Sequence, residues 1–100
     1  MKNKLIVLSA DAMVTEDLEL LATLPGYKKY MRNASVVRNV RSIYPTVTFP
    51  CHVTMMTGTY PNKHGVTSNF PFVMNESPMP WNWYADIIQS KDIFTAFERV

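Results

Sequence analysis

A chain of 100 residues, 47% of them hydrophobic and 18% charged, carries enough apolar side chain for a packed domain or part of one and does not read as a disordered tail. Its formal net charge of +2 is too small to recruit a nucleic acid polymer or an anionic membrane by bulk electrostatics. The single cysteine, Cys51, excludes an intrachain disulfide framework and fits a reducing, cytoplasmic setting.

The chain opens with Met1-Lys2-Asn3-Lys4 and then the apolar run Leu5 to Leu8. Asp11 interrupts that run too early for a signal peptide, so a buried strand is expected and export is kept as the alternative. No stretch reaches the roughly 20 apolar residues that cross a bilayer. Lys4 to Ser9, apolar and rich in β-branched residues, has the pattern of a strand inside a parallel sheet. Asp11 would then stand just beyond a strand's carboxyl end, a favoured place for a metal or a phosphate group. A loop carboxylate, or a cap for the following helix, explains the same residue equally well.

Thr15-Glu16-Asp17 predicts a helix start, with Leu18, Leu21 and Ala22 on one apolar face and Pro25-Gly26 as the stop. Tyr27 to Met31 reads as a short turn, with Lys28, Lys29 and Arg32 facing solvent. Ala34 to Ile43 alternates loosely and predicts a second strand, bulged or at an edge. Strand, helix and strand together compose a βαβ unit, so the expected class is α/β with a mostly parallel sheet flanked by helices.

Thr48 to Gly58 predicts a helix with Thr48 as N-cap, Pro50 in the first turn and Gly58 just past the end. Pro45 and Pro50 stiffen the backbone on either side of Thr48. The first turn of such a helix directs unpaired N–H groups and partial positive charge at any nearby anion. Thr59 to Gly65 is turn chemistry. Phe70 to Tyr84, dense in proline, aromatics and methionine, reads as a packed loop or as a wall over a binding site, where it would offer a stacking surface. From Ser90 the chain takes up an amphipathic helical pattern and stops inside it, as a sequence cut short would.

The residues able to carry chemistry are Asp11, Thr48, Asn69, His52, His64 and Cys51. A hydroxyl needs a base or a metal to become a nucleophile at neutral pH, and no Ser/His/Asp order or lysine partner accompanies Thr48. A metal is the more economical activator, with Asp11 as its ligand and Asn69 as a hydrogen-bond donor to a charged transition-state oxygen. His52 and His64 lack a standard zinc spacing and are expected to hold loops by hydrogen bonds. Cys51 reads as a small residue in the first helical turn.

Ser9-Ala10-Asp11, then TFPCHVTMMTGTYPNKHGV over residues 48–66, then Asn69, together resemble the type I phosphodiesterase/nucleotide pyrophosphatase family of the alkaline phosphatase superfamily. The long pattern T-F-P-x-H-x-x-x-x-T-G-x-Y-P-x-x-H-G carries the resemblance, which covers the N-terminal part of that family's single catalytic domain. It implies an alkaline phosphatase-like fold and a small phosphodiester or nucleotide as substrate. It further implies two divalent ions, zinc by preference, with Asp11 as a metal ligand. Thr48 would be a metal-bound nucleophile, transiently phosphorylated or nucleotidylated, and Asn69 the amide that binds a phosphate oxygen. His52 and His64 would not be ligands. Cys51 departs from the asparagine often found there.

The remaining ligands of such a site would come from outside this segment, so residues 1–100 alone are expected to be inactive. A non-catalytic scaffold, or a phosphomonoesterase, phosphonate hydrolase or phosphotransferase of the same superfamily, stands as the alternative. The sequence is silent on oligomeric state.

Overall fold

A computed structural model of the chain describes residues 4–75, 77 and 80–97. Met1 to Asn3, Pro78 and Met79 of the aromatic stretch, and the Glu98 to Val100 end of the last helical pattern lie outside the described residues. The chain divides into two compact units, Met1–Val40 and Arg41–Val100.

In the first unit, helix α1 spans Thr15–Leu21 and helix α2 spans Pro25–Met31. The α1 N-terminus is fixed from within, because the Asp17 carboxylate accepts the Val14 N–H at 2.9 Å. Glu16 and Asp17 also set negative charge in the first turn, where the helix dipole favours it. Pro25 does not stop a helix as expected; it starts one. Proline at the first helical position lacks only an N–H that would go unpaired there, and its fixed φ already suits the helix. The predicted turn at Tyr27 to Met31 is therefore the body of α2.

The α/β expectation fails. Among the described residues no β-strand forms, and the regular structure is helical throughout. Lys4 to Ser9 and Ala34 to Ile43 belong to no helix and no ladder, so neither the βαβ unit nor the mostly parallel, alkaline phosphatase-like sheet is present. Leu5, Ile6, Val7 and Leu8 are 57, 83, 52 and 92% exposed, the reverse of a strand covered on both faces. A helix satisfies its own backbone through i→i−4 bonds, whereas every strand needs a neighbour for its N–H and C=O groups. Apolar composition marks these segments as fit for a sheet; it does not supply the pairing.

In the second unit, helix α3 spans Thr48–Thr57 and the one-turn helix α4 spans Pro61–His64. A 3-10 turn follows at Ala85–Ile87, and helix α5 spans Ile93–Phe97. Gly58 at φ 64° ends α3 where the sequence puts the stop, and Gly65 at φ 82° ends α4, a single helical turn within the stretch expected to be turns; both are left-handed conformations that suit glycine. The Gly58 N–H returns to the Thr54 carbonyl at 2.9 Å and the Gly65 N–H to that of Pro61 at 2.9 Å. The Asp92 carboxylate accepts both the N–H and the hydroxyl of Thr95 at 2.8 Å, holding the first turn of α5. These two bonds hold the Asp92 carboxyl below its ordinary value.

Helices α3 and α4 pack together around a small centre. Pro50, His64 and Val66 are the buried residues among those described. A hydroxyl chain ties the end of α3 to a later segment: Thr57 donates to the Val53 carbonyl at 2.7 Å, and Thr59 bonds both Thr57 at 2.9 Å and Ser90 at 3.2 Å. The Gln89 N–H donates to the His64 carbonyl at 3.0 Å.

Candidate active site

Thr48 is the first residue of α3, not its N-cap. Val47, at φ −112° and ψ 156°, holds the cap position and offers no side-chain bond. Capping requires an extended residue whose side-chain oxygen reaches back to the first N–H groups, and Thr48 is already helical. Its hydroxyl is thus released from capping duty. It is half-buried and makes no hydrogen bond among the described residues.

Twenty-one positions along, Asn69 meets this turn. Its Oδ1 accepts the Phe49 N–H at 2.8 Å, one of the N–H groups that a helix start leaves unpaired. With the carbonyl end of the amide so engaged at the first turn of α3, the NH2 end is left as a donor. Asn69 is itself held from behind. The Asn82 N–H donates to the Asn69 carbonyl at 3.0 Å, and the Asn82 side chain donates to the Ser68 carbonyl at 3.0 Å.

The aromatic stretch is part of the same structure. Trp81 lies 5.6 Å from Phe49 and 4.6 Å from Phe70 between ring centres, both tilted, with Trp83 at 5.8 Å. Such tilted pairs are the favoured aromatic geometry. They press the 81–83 segment onto α3 next to Thr48, so the packed-loop reading of this stretch describes Trp81. A cavity of about 210 Å3 opens beside it, lined by Phe49, His52, Val53 and residues 82–85 and 87–88.

The two histidines hold backbone, as expected of them. His52 Nδ1 lies 2.8 Å from the Thr48 carbonyl; a carbonyl only accepts, so Nδ1 carries the proton. His64 is fully buried. Its Nδ1 accepts the Val66 N–H at 3.1 Å, which leaves Nε2 to donate to the Thr54 hydroxyl at 2.9 Å. Burial pushes the His64 pKa below its ordinary 6.5. Cys51 is half-buried, with Sγ 3.1 Å from the Ser42 hydroxyl and 4.0 Å from the Pro45 carbonyl.

Asp11 belongs to the first unit and Thr48 to the second. Asp11 is exposed at a turn and accepts the N–H of Ala12 at 3.0 Å. It does not cap α1, since Asp17 does that work. Among the described residues no three His, Cys, Asp or Glu side chains gather as a metal centre. The described residues therefore contribute at most isolated donors to one.

The sequence profile of the type I phosphodiesterase / nucleotide pyrophosphatase family matches residues 5–89. The chain belongs to that family. Curated members similar to it include the ectonucleotide pyrophosphatase/phosphodiesterase C27A7.3 of Caenorhabditis elegans, 29% identical over 96% of this chain. Bis(5'-adenosyl)-triphosphatase enpp4 of Xenopus laevis is 31% identical over 78% of it. Ectonucleotide pyrophosphatase/phosphodiesterase family member 3 of Mus musculus is 38% identical over 64% of it. The chain spans 13, 19 and 7% of the length of these three relatives. No solved structure matches it.

Sequence reasoning placed Asn69 among the family's site residues but missed its partner. The Phe49 N–H carries no side-chain signature, and the only signal was the rule that a helix's first N–H groups need acceptors. The Trp81 contact with Phe49 was equally hidden, because nothing local selects one aromatic among the many between Phe70 and Tyr84.

Proposed function

We propose that this chain supplies the nucleophile turn of a phosphoric ester hydrolase acting on small phosphodiesters or nucleotides by double displacement. The bond between Asn69 Oδ1 and the Phe49 N–H carries the reading, because it tethers an amide donor to the helix start that bears an uncommitted hydroxyl. The Thr48 Oγ attacks phosphorus and forms an Oγ–P bond as the P–O bond to the leaving group breaks. Water then attacks the same phosphorus and frees Thr48. The Asn69 NH2 donates to a non-bridging oxygen as charge builds on it, and the N-terminal turn of α3 adds its dipole.

Asp11 and Thr48 are the oxygen donors these residues would lend to a divalent-ion pair, zinc by preference. Such an ion, when bound, lowers the pKa of the hydroxyl and offsets phosphate charge. The remaining ligands would be supplied from outside residues 1–100. A reducing compartment is proposed on the single Cys51 alone. Among the described residues no helix is long and apolar enough to cross a membrane.

The test is hydrolysis of a chromogenic phosphodiester by the full-length protein. Thr48→Ala should abolish turnover with the fold intact by circular dichroism, and a variant that keeps most of the wild-type rate removes Thr48 from the nucleophile role. Loss of turnover in wild type as well would favour the scaffold alternative.

A further inference from the structure

Resting on the Thr48 reading above, we infer that His52 is a positioning residue for the Thr48 hydroxyl, acting through the peptide group that joins Thr48 to Phe49. That one peptide is gripped at both ends. Its carbonyl accepts His52 Nδ1–H at 2.8 Å, and its N–H donates to Asn69 Oδ1 at 2.8 Å.

A peptide plane rotates about the line between its two Cα atoms, and its C=O and N–H point to opposite sides of that line. A hydrogen bond on each side therefore resists rotation far better than either alone. Helix starts fray because their first N–H groups lack acceptors, and Thr48 occupies the outermost helical position. Fixing this plane fixes ψ of Thr48, and with it the frame from which Oγ is presented. The buried Pro50 stiffens the same turn, since its ring locks its own φ and narrows the choices of Phe49 before it.

The same bond couples the two functional groups. Asn69 is oriented by the N–H of a peptide whose carbonyl His52 holds, so releasing His52 loosens donor and nucleophile together. His52 needs no contact with substrate for this role. The Nδ1 proton is present in both the neutral tautomer the geometry requires and the imidazolium, so the grip is indifferent to the charge of the ring.

The experiment compares His52→Phe, which keeps a planar ring without the donor, with His52→Asn, whose amide N–H reaches from a position similar to Nδ1. On a chromogenic phosphodiester, kcat of His52→Phe should fall on the order of 10- to 100-fold with KM nearly unchanged. His52→Asn should recover most of that loss. Nitrogen NMR of the wild-type ring should show the proton on Nδ1 in the neutral state, a readout independent of turnover and of whether either variant folds.

A kcat for His52→Phe within about twofold of wild type, an asparagine variant no faster than the phenylalanine one, or a proton on Nε2 would each overturn the inference. If Thr48→Ala is inactive while His52→Phe is not impaired, the positioning role falls alone. If Thr48→Ala keeps its rate, the nucleophile reading falls and takes the catalytic meaning of the clamp with it.

Discussion

Replacing His64 by phenylalanine perturbs the one buried titratable side chain among the described residues in a way whose size follows from its contacts. A planar ring stays, one ring atom larger and so overpacked at this fully buried position, and both hydrogen bonds go. Val66 is only 3% exposed, so its N–H would be left inside without an acceptor, at about 1–3 kcal/mol. The bond from Nε2 to the Thr54 hydroxyl adds about 1 kcal/mol. From the lost bonds alone His64→Phe should cost about 2–4 kcal/mol in urea unfolding at pH 7.5, and the larger ring can only add to this.

A second signature comes from protons. The imidazolium has hydrogen on both nitrogens, so Nδ1 could no longer accept from Val66. The folded-state pKa is lowered from 6.5, and the unfolded chain therefore binds the proton first as pH falls. The stabilisation from neutral His64 is complete above about pH 6.5 and is lost as pH drops toward the folded value, with a limiting slope near 1.4 kcal/mol per pH unit. Wild type should lose stability between pH 7.5 and 5.5, and His64→Phe should lack that component. A variant within about 0.5 kcal/mol of wild type, or one with the same pH dependence, would refute the argument.

Other outcomes follow from single contacts. Asn69→Ala should lower kcat on a phosphodiester by about 10²- to 10³-fold, the usual effect of removing one transition-state donor, with steady-state kinetics as the measurement. Gly65→Ala should cost about 1–2 kcal/mol in the same unfolding assay: φ is 82°, and the added Cβ would sit 2.8 Å from Gln89 Nε2. Gln89→Ala in that background should relieve only the steric part, because the backbone strain is independent of it. Trp81→Ala should cost about 0.5–1.5 kcal/mol beyond lost area and loosen the turn around Asn69, seen as faster amide exchange at Phe49. Asp92 is held low by Thr95, so its support of α5 is present above the ordinary 3.8 and lost as pH falls below it; amide exchange at Thr95 should accelerate in acid.

The helix that carries Thr48 was legible in outline because its punctuation is local. Thr48, Pro50 and Gly58 announce a helix through residue chemistry alone, and the structure departs by one position at its start, where Val47 takes the cap. Pro25 shows the limit of such punctuation. The same ring can end a helix or begin one, and only the flanking backbone says which; Pro25 begins α2.

Sequence alone determined that helices lie at α1 and α3 and that Gly58 ends α3, since hydrogen bonds four residues apart and left-handed turns are decided by neighbouring residues; it read α2 and α4 as turns. It also determined the family, because a long motif is a string. The tertiary structure decided what joins distant positions: Asn69 to Phe49, Trp81 to Phe49, His64 to Thr54. It also decided against strands at Lys4 to Ser9 and Ala34 to Ile43. An apolar run states a preference for burial, but a ladder exists only when another segment presents its N–H and C=O groups at the right spacing, and that is a property of no single stretch.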